Sequence, residues 1–177
     1  MRVGLPSNIF GEAIAADAQV PGTVEEVYAL LRDADFVGRS APFIRRITPL
    51  ADDVWWWEVG GIRHPGGTFA AGFTQRMTFD PPHEIAFRHD PGALEGTAQR
   101  QGRREAELAG AEGVFRLTPL DPDGAGDGVR VELEMRIQAT VPAPASGAPV
   151  VEAAMRAVLT RMRDRFTAAL VQAQEAR

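Results

Sequence analysis

The 177-residue chain contains neither cysteine nor lysine. Without cysteine, neither a disulfide framework nor thiol chemistry is available, and the composition fits a reducing cytoplasm, where we expect the protein to reside. No stretch reaches the roughly 18 apolar residues of a membrane-spanning helix. Residues 1–10 also lack the long apolar run of a secretory signal. We interpret the exclusive use of arginine as coding bias.

Basic residues are fewer than acidic ones, and the formal net charge is −5. This balance argues against a general nucleic-acid-binding protein. The densest basic patch is formed by Arg100, Arg103 and Arg104. We interpret it as a solvated edge of a strand or loop, with transient contact to a phosphate or a membrane surface as the alternative. A chain of this length suits one domain, residues 1–177.

Residues 150–176 carry the strongest pattern in the sequence, a stripe of apolar side chains three or four residues apart. The stripe consists of Val151, Met155, Val158, Met162, Phe166, Ala169 and Ala173, with Leu159 and Leu170 beside it. This spacing predicts an amphipathic helix about 40 Å long. Pro149 suits its first turn, where a missing N–H costs nothing. Such a helix needs a broad apolar surface to pack against.

The preceding chain supplies short elements that match such a surface. A strand over residues 14–20 is followed by two short helices, the first capped by Thr23 and Glu26 and the second over residues 35–40. Period-two segments follow at residues 44–47, 54–59, 69–79, 84–89, 114–118 and 129–141. Residues 99–109 favour a further, weaker strand, with a short polar helix as the alternative. Strands and helices do not alternate, so the sequence predicts an α+β fold with an antiparallel sheet.

Two strings within this order resemble a known superfamily. Residues 20–33, VPGTVEEVYALLRD, are similar to the opening of the helix-grip proteins, which include START domains, birch-pollen-allergen-like proteins and polyketide cyclases (SRPBCC). Residues 73–87, FTQRMTFDPPHEIAF, are similar to the hairpin of that superfamily. The chain departs from the pattern at Tyr28, where tryptophan is usual, and at residues 40–42. The subfamily therefore stays open between the cyclase-like branch and the branch named for a carbon-monoxide-dehydrogenase component.

The resemblance implies a curved antiparallel sheet of about six or seven strands wrapped on the long C-terminal helix, with two short helices after the first strand. It also implies a cavity for an apolar small molecule. Elementary geometry agrees, because a strongly curved sheet cannot contact a straight helix along its whole length. We therefore predict that the protein binds or transports a hydrophobic, lipid-like or polyketide-like molecule in that space, and we expect no cofactor.

The predicted ligand-binding residues are the large side chains that would face this space. They are Trp56, Phe69, Phe73, Gln75, Met77, Phe87, Phe115, Leu133 and Met135 on the strands, and Met155, Leu159 and Met162 on the helix. The alternative for each apolar residue is that it simply fills the core. Gln75 interrupts an apolar face, and a buried amide needs partners. It would either orient a ligand or make a structural hydrogen bond.

Three consecutive tryptophans occupy both faces of one predicted strand. An exterior position of Trp55 and Trp57 would favour a subunit or partner contact, a homodimer among them, and the alternative is packing under the loop of residues 60–67. An interaction domain without ligand is therefore a third functional class, beside the carrier and the enzyme.

Catalytic and metal-binding signals are weak. The three histidines lack metal-ligand spacing, so we expect no metal, and residues 121–128 favour a turn over a calcium loop. No nucleophile motif or phosphate-binding loop occurs. A cyclase or dehydratase remains the alternative function, with Glu58 or His89 as the acid–base group if either points inward.

Overall fold

Seven antiparallel strands form a single curved sheet in the computed structural model, which describes residues 7–64, 67–94, 107–121 and 128–176. The strands are β1 (Asn8–Val20), β2 (Ile44–Ala51), β3 (Val54–His64), β4 (Gly67–Asp80), β5 (Glu84–His89), β6 (Ala109–Pro119) and β7 (Val129–Val141). Their order in the sheet is β1-β7-β6-β5-β4-β3-β2. The predicted α+β class with an antiparallel sheet is confirmed.

Three α-helices accompany the sheet in the described residues: α1 (Val24–Arg32), α2 (Ala34–Ser40) and α3 (Ala148–Glu175). The predicted capping box is present, because the Thr23 side chain accepts the Glu26 N–H while the Glu26 carboxylate accepts the Thr23 N–H at 3.0 Å. Asp33 then separates α1 from α2, and its carboxylate accepts the N–H groups of the first turn of α2. The connection between β1 and β2 is thus fixed by local hydrogen bonds.

Some boundaries differ from the sequence prediction. β1 begins at Asn8, six residues before the predicted start, and pairs with β7 along its whole length. β6 begins at Ala109 rather than residue 114, and α3 is shifted by one or two residues from the predicted 150–176. The expected strand at 99–109 falls mostly outside the described residues.

The two faces of the sheet differ sharply in polarity. The inner face, which α3 covers, carries the buried side chains of Phe10, Val20, Phe73, Met77, Ile85, Phe87, Leu117, Val129 and Val131. The outer face carries ion pairs, such as Arg116 with Glu134 at 2.9 Å. Side chains of α1 and α2 complete the core at one end of the inner face. This division explains the strict alternation in β7, because one side chain in two faces water.

The sides of the three tryptophans differ from the prediction that Trp56 lines the cavity. Trp55, only 4% exposed, and Trp57 lie on the inner face, so they do not form the exterior surface that a partner would use. Trp56 alternates to the outer face, where its ring covers Gly72 at a spot that a β-carbon would occupy. Trp56 therefore does not line the predicted cavity. Period-two alternation could not decide this, because both faces of the strand are aromatic.

Candidate functional site

The predicted lining residues on the sheet fall into two groups by burial. Phe73, Met77 and Phe87 are 5–8% exposed and belong to the core. The second group, half-buried on the same inner face, consists of Phe69, Phe115, Leu133 and Met135. Phe115, Leu133 and Met135 pack against the core cluster on one side, and large apolar side chains of a sheet's inner face are normally buried completely. Their partial exposure indicates that α3 leaves part of the inner face uncovered.

Helix α3 is held to the sheet at a few defined points. The Phe166 ring lies 6.2 Å from the ring of Phe36 on α2 and 6.1 Å from that of Phe115 on β6. Nearer its N-terminus, Leu159 is 2% exposed and Arg156 forms an ion pair with Glu12 of β1. The predicted lining residues Met155 and Met162 lie near these anchors and are only half-buried. The half-buried methionines and the half-buried sheet residues border the candidate site.

Gln75 is the most informative polar residue of the inner face. It is 2% exposed, and its Nε2 donates to the carbonyl oxygen of Ala111 at 3.3 Å. A carbonyl oxygen can only accept, which fixes the orientation of the amide. The Oε1 atom is left buried without a hydrogen-bond partner among the described residues. One end of the amide therefore makes the structural hydrogen bond, and the other end is free to meet a ligand.

Trp57 presents the complementary group. Its ring stacks on Phe73, with centroids 6.0 Å apart and planes at 11°. Its Nε1–H is buried and has no acceptor in the described part of the chain. Register pairs Trp57 with Phe73 and Trp55 with Gln75, so the unpartnered indole N–H and the unpartnered amide oxygen lie on neighbouring strands of one face. Buried polar atoms without partners are rare enough to require an explanation.

His89 and Glu107 form a second polar cluster at the end of β5. Nε2 of His89 lies 2.6 Å from Oε2 of Glu107, and the imidazole meets the Phe73 ring edge-on. Thr74 donates its N–H to Glu107 at 3.0 Å and its hydroxyl at 2.6 Å. The carboxylate is therefore held in place and selects the tautomer of His89 with hydrogen on Nε2. Of the two predicted acid–base residues, His89 lies beside the inner face, whereas Glu58 alternates to the outer face with Trp56.

A solvent-open cleft of about 530 Å³ lies where α1, α2 and β2 meet, and its lining contains no residue of α3. Its lining comprises Arg32, Asp33, Ala34, Asp35, Pro49, Ala51, Asp52, Trp55 and Phe79. The Arg32 guanidinium sits over the Phe79 ring, 5.2 Å from its centroid. The cleft reaches the inner-face side chains of Trp55 and Phe79, and its other walls carry charged groups.

The described residues contain neither a metal-binding cluster nor a membrane-spanning helix. No three histidine, aspartate or glutamate side chains there are grouped closely enough to hold a metal ion. His83 is exposed, with Nδ1 3.3 Å from the carbonyl oxygen of Leu117, while the side chain of His64 and most of the turn at 121–128 lie outside the described part. Among the described helices, none has the length and apolarity needed to cross a bilayer.

Sequence reasoning missed two members of the site. It left Trp57 open between an exterior contact and packing under the loop of residues 60–67, because the spacing of two residues from Trp55 shows only that both share a side. Glu107 lies in a stretch without clear periodicity, and its partners His89 and Thr74 are 18 and 33 residues away. No local pattern can predict a contact of that separation.

Comparison with known proteins identifies the fold. No protein-family model matches the sequence, and curated proteins give no significant match. The Zhui aromatase/cyclase from Streptomyces sp. R1128 is similar in structure, with a TM-score of 0.63 and 15% identity over 93% of this chain and 94% of that chain. A START superfamily protein from Mycobacterium smegmatis gives 0.61 and 14% over 90% and 97%.

A third similar structure is the di-domain ARO/CYC StfQ from the steffimycin biosynthetic pathway. Its TM-score is 0.56 and its identity 18%, over 94% of this chain and 51% of that one. At such identities the likeness concerns the fold. The sheet order, the two short helices after β1 and the long final helix agree with it. The chain therefore has the START-like helix-grip fold.

Proposed function

We propose that the protein binds a hydrophobic small molecule between the inner face of the sheet and α3. The observation that carries the proposal is the partial exposure of Phe115, Leu133 and Met135 on the inner face, together with that of Met155 and Met162 on α3. Apolar walls with few polar groups are typical of ligand pockets. Methionine adapts to ligands of different shape, which suits a binding surface. The START-like fold supports the same function.

Two adjacent alanines of β1 provide a matched test. Ala16 is half-buried on the inner face opposite Leu133, whereas Ala15 is exposed on the outer face opposite Glu134. Titration with the neutral fluorophore N-phenyl-1-naphthylamine should give saturable binding. Ala16→Phe should weaken that binding at least about tenfold, the equivalent of 1.4 kcal/mol, and Ala15→Phe should leave it unchanged.

Thermal unfolding of both variants accompanies the titration. A folded Ala16→Phe protein with weakened binding supports the proposal, because the added ring occupies the space of the probe. Absence of probe binding to the unsubstituted protein would refute it. Equal binding by the two variants would place the probe elsewhere and refute it as well.

A cyclase or dehydratase that acts on such a ligand is the second candidate. The His89–Glu107 hydrogen bond of 2.6 Å beside Phe73 supports it, since a carboxylate-oriented imidazole can act as a general base. For a β-hydroxyketone, the imidazole would remove the α-proton, and the hydroxyl group would leave as water with a proton returned by the imidazolium.

An aryl β-hydroxyketone is a suitable probe of this activity, because loss of water creates a conjugated enone that absorbs in the near ultraviolet. His89→Gln should abolish any acceleration, whereas His83→Gln alters an exposed turn histidine and should retain it. A rate equal to that in buffer, or an equal rate for both variants, would remove this candidate.

A further inference from the structure

Four buried side-chain atoms of the described residues lack a hydrogen-bond partner: the Tyr28 hydroxyl on α1, Gln174 Nε2 on α3, and Trp57 Nε1 and Gln75 Oε1 on the inner face of the sheet. The donor and the acceptor on the sheet bear on which ligand its inner face can take. In the described chain, the Trp57 indole N–H and the Gln75 Oε1 are both buried and unpartnered. Gln75 cannot turn to relieve this, because its Nε2 is committed to the Ala111 carbonyl at 3.3 Å. Burying such groups without a hydrogen-bond partner costs free energy, so binding of a molecule that forms hydrogen bonds with them is favoured.

Charge on the same face points in the same direction. Two positive or potentially positive groups there already have a carboxylate partner, since Arg156 is paired with Glu12, and His89 with Glu107. The arginines at 161, 163 and 165 are exposed on α3. The Arg32 guanidinium lies over the Phe79 ring and lines the solvent-open cleft. A carboxylate buried away from it would be unpaired, which is strongly unfavourable.

Given the proposed function, on which this step rests, we infer that the ligand is a neutral alcohol or phenol whose hydroxyl group lies between Trp57 and Gln75. A hydroxyl accepts from the indole N–H and donates to the amide oxygen at the same time. A ketone, an ether or a carboxylate can only accept, and so leaves Oε1 unsatisfied. The unpartnered groups of Trp57 and Gln75 therefore favour a neutral hydroxyl group over a carboxylate.

The test compares three probes with one ring system: 2-naphthol, 2-methoxynaphthalene and 2-naphthoic acid. Isothermal titration calorimetry on the full chain should give tightest binding for 2-naphthol, by about tenfold or more, because a site built for a hydroxyl rejects analogues that lack it. Gln75→Met and Trp57→Phe should each remove most of that preference. Gln138→Met and Trp56→Phe, which alter the outer face, should preserve it.

The outcomes separate this inference from the proposed function. Equal binding of the three probes, or tightest binding of 2-naphthoic acid, would overturn the inference and leave a hydrophobic binding site. Binding of none of them would overturn both. Should Gln75→Met fail to fold because the Ala111 carbonyl loses its donor, Trp57→Phe decides alone. An unchanged preference in folded Trp57→Phe would overturn the inference.

Discussion

Truncation of two leucines on the same face of the sheet should distinguish an open interior from a filled one. Leu117 on β6 is 3% exposed and belongs to the core, whereas Leu133 on the adjacent β7 is half-buried at the proposed site. The two side chains have the same chemistry and pair with neighbours of the same sheet, Val131 and Phe115 respectively. Replacing each by alanine removes the same atoms.

The expected costs differ because a cavity costs free energy only where it is new. For Leu117→Ala, the lost transfer free energy and the cavity together should reduce the free energy of unfolding by about 3 kcal/mol, within the usual range of about 2–5. For Leu133→Ala, part of the side chain already borders open space, so the cavity contribution largely disappears. We expect a loss of about 1–1.5 kcal/mol, roughly half the transfer free energy of a buried leucine.

Urea denaturation followed by circular dichroism measures both values, provided that the transitions are two-state with equal slopes. Binding of N-phenyl-1-naphthylamine to the same samples should weaken for Leu133→Ala and stay unchanged for Leu117→Ala. If Leu133→Ala costs as much stability as Leu117→Ala and binding does not change, the interior is filled and the reasoning is refuted.

Three further predictions concern stability. Gly72→Ala should cost about 1–3 kcal/mol in chemical denaturation, because its β-carbon would collide with the Trp56 ring. Tyr28→Phe should stabilise by about 0.5–1 kcal/mol, because burial raises the pKa of the Tyr28 hydroxyl and no described residue satisfies it. The hydrogen bond from Arg76 holds the pKa of Asp90 below its ordinary value of 3.8, so Asp90→Asn should flatten the fall in stability below about pH 4.

Each of these has a contrary result. A neutral Gly72→Ala would mean that the Trp56 ring moves freely, and a destabilised Tyr28→Phe would mean that the hydroxyl is satisfied after all. For Asp90 the sign is fixed by proton binding. The folded state binds fewer protons than the unfolded state, so stability from the pair is present above the unfolded pKa and is lost as the pH falls through the folded one. If the free energy of unfolding of Asp90→Asn falls below about pH 4 as steeply as that of the unsubstituted protein, this reasoning is contradicted.

Local sequence signals predicted most of the architecture. The Thr23–Glu26 capping box is present as its spacing predicted. The alternation over residues 129–141 corresponds to β7, which turns one apolar face away from water. Both signals depend only on neighbours along the chain. The stripe at 150–176 likewise produced α3, although Leu159 and Leu170, expected beside the stripe, are its most deeply buried apolar side chains.

The site itself was less predictable, because its members meet through long-range contacts. Glu12 can lie on the inner face because Arg156, 144 residues further along, pairs with it. The inward side of the tryptophan run depends on the pairing of Trp57 with Phe73, which alternation alone cannot reveal. The buried Gln75 was anticipated from its interruption of an apolar face. Its free oxygen follows only from the Ala111 contact.

The indole N–H resonances of the three tryptophans offer the most direct test of a ligand held between the sheet and α3. Assignment by single Trp→Phe variants and titration with 2-naphthol would report each position separately. The account predicts a large shift of the Trp57 N–H, which gains an acceptor, and little change for Trp56 on the outer face. A Trp57 resonance that stays in place at saturation, or a shift confined to Trp56, would contradict it.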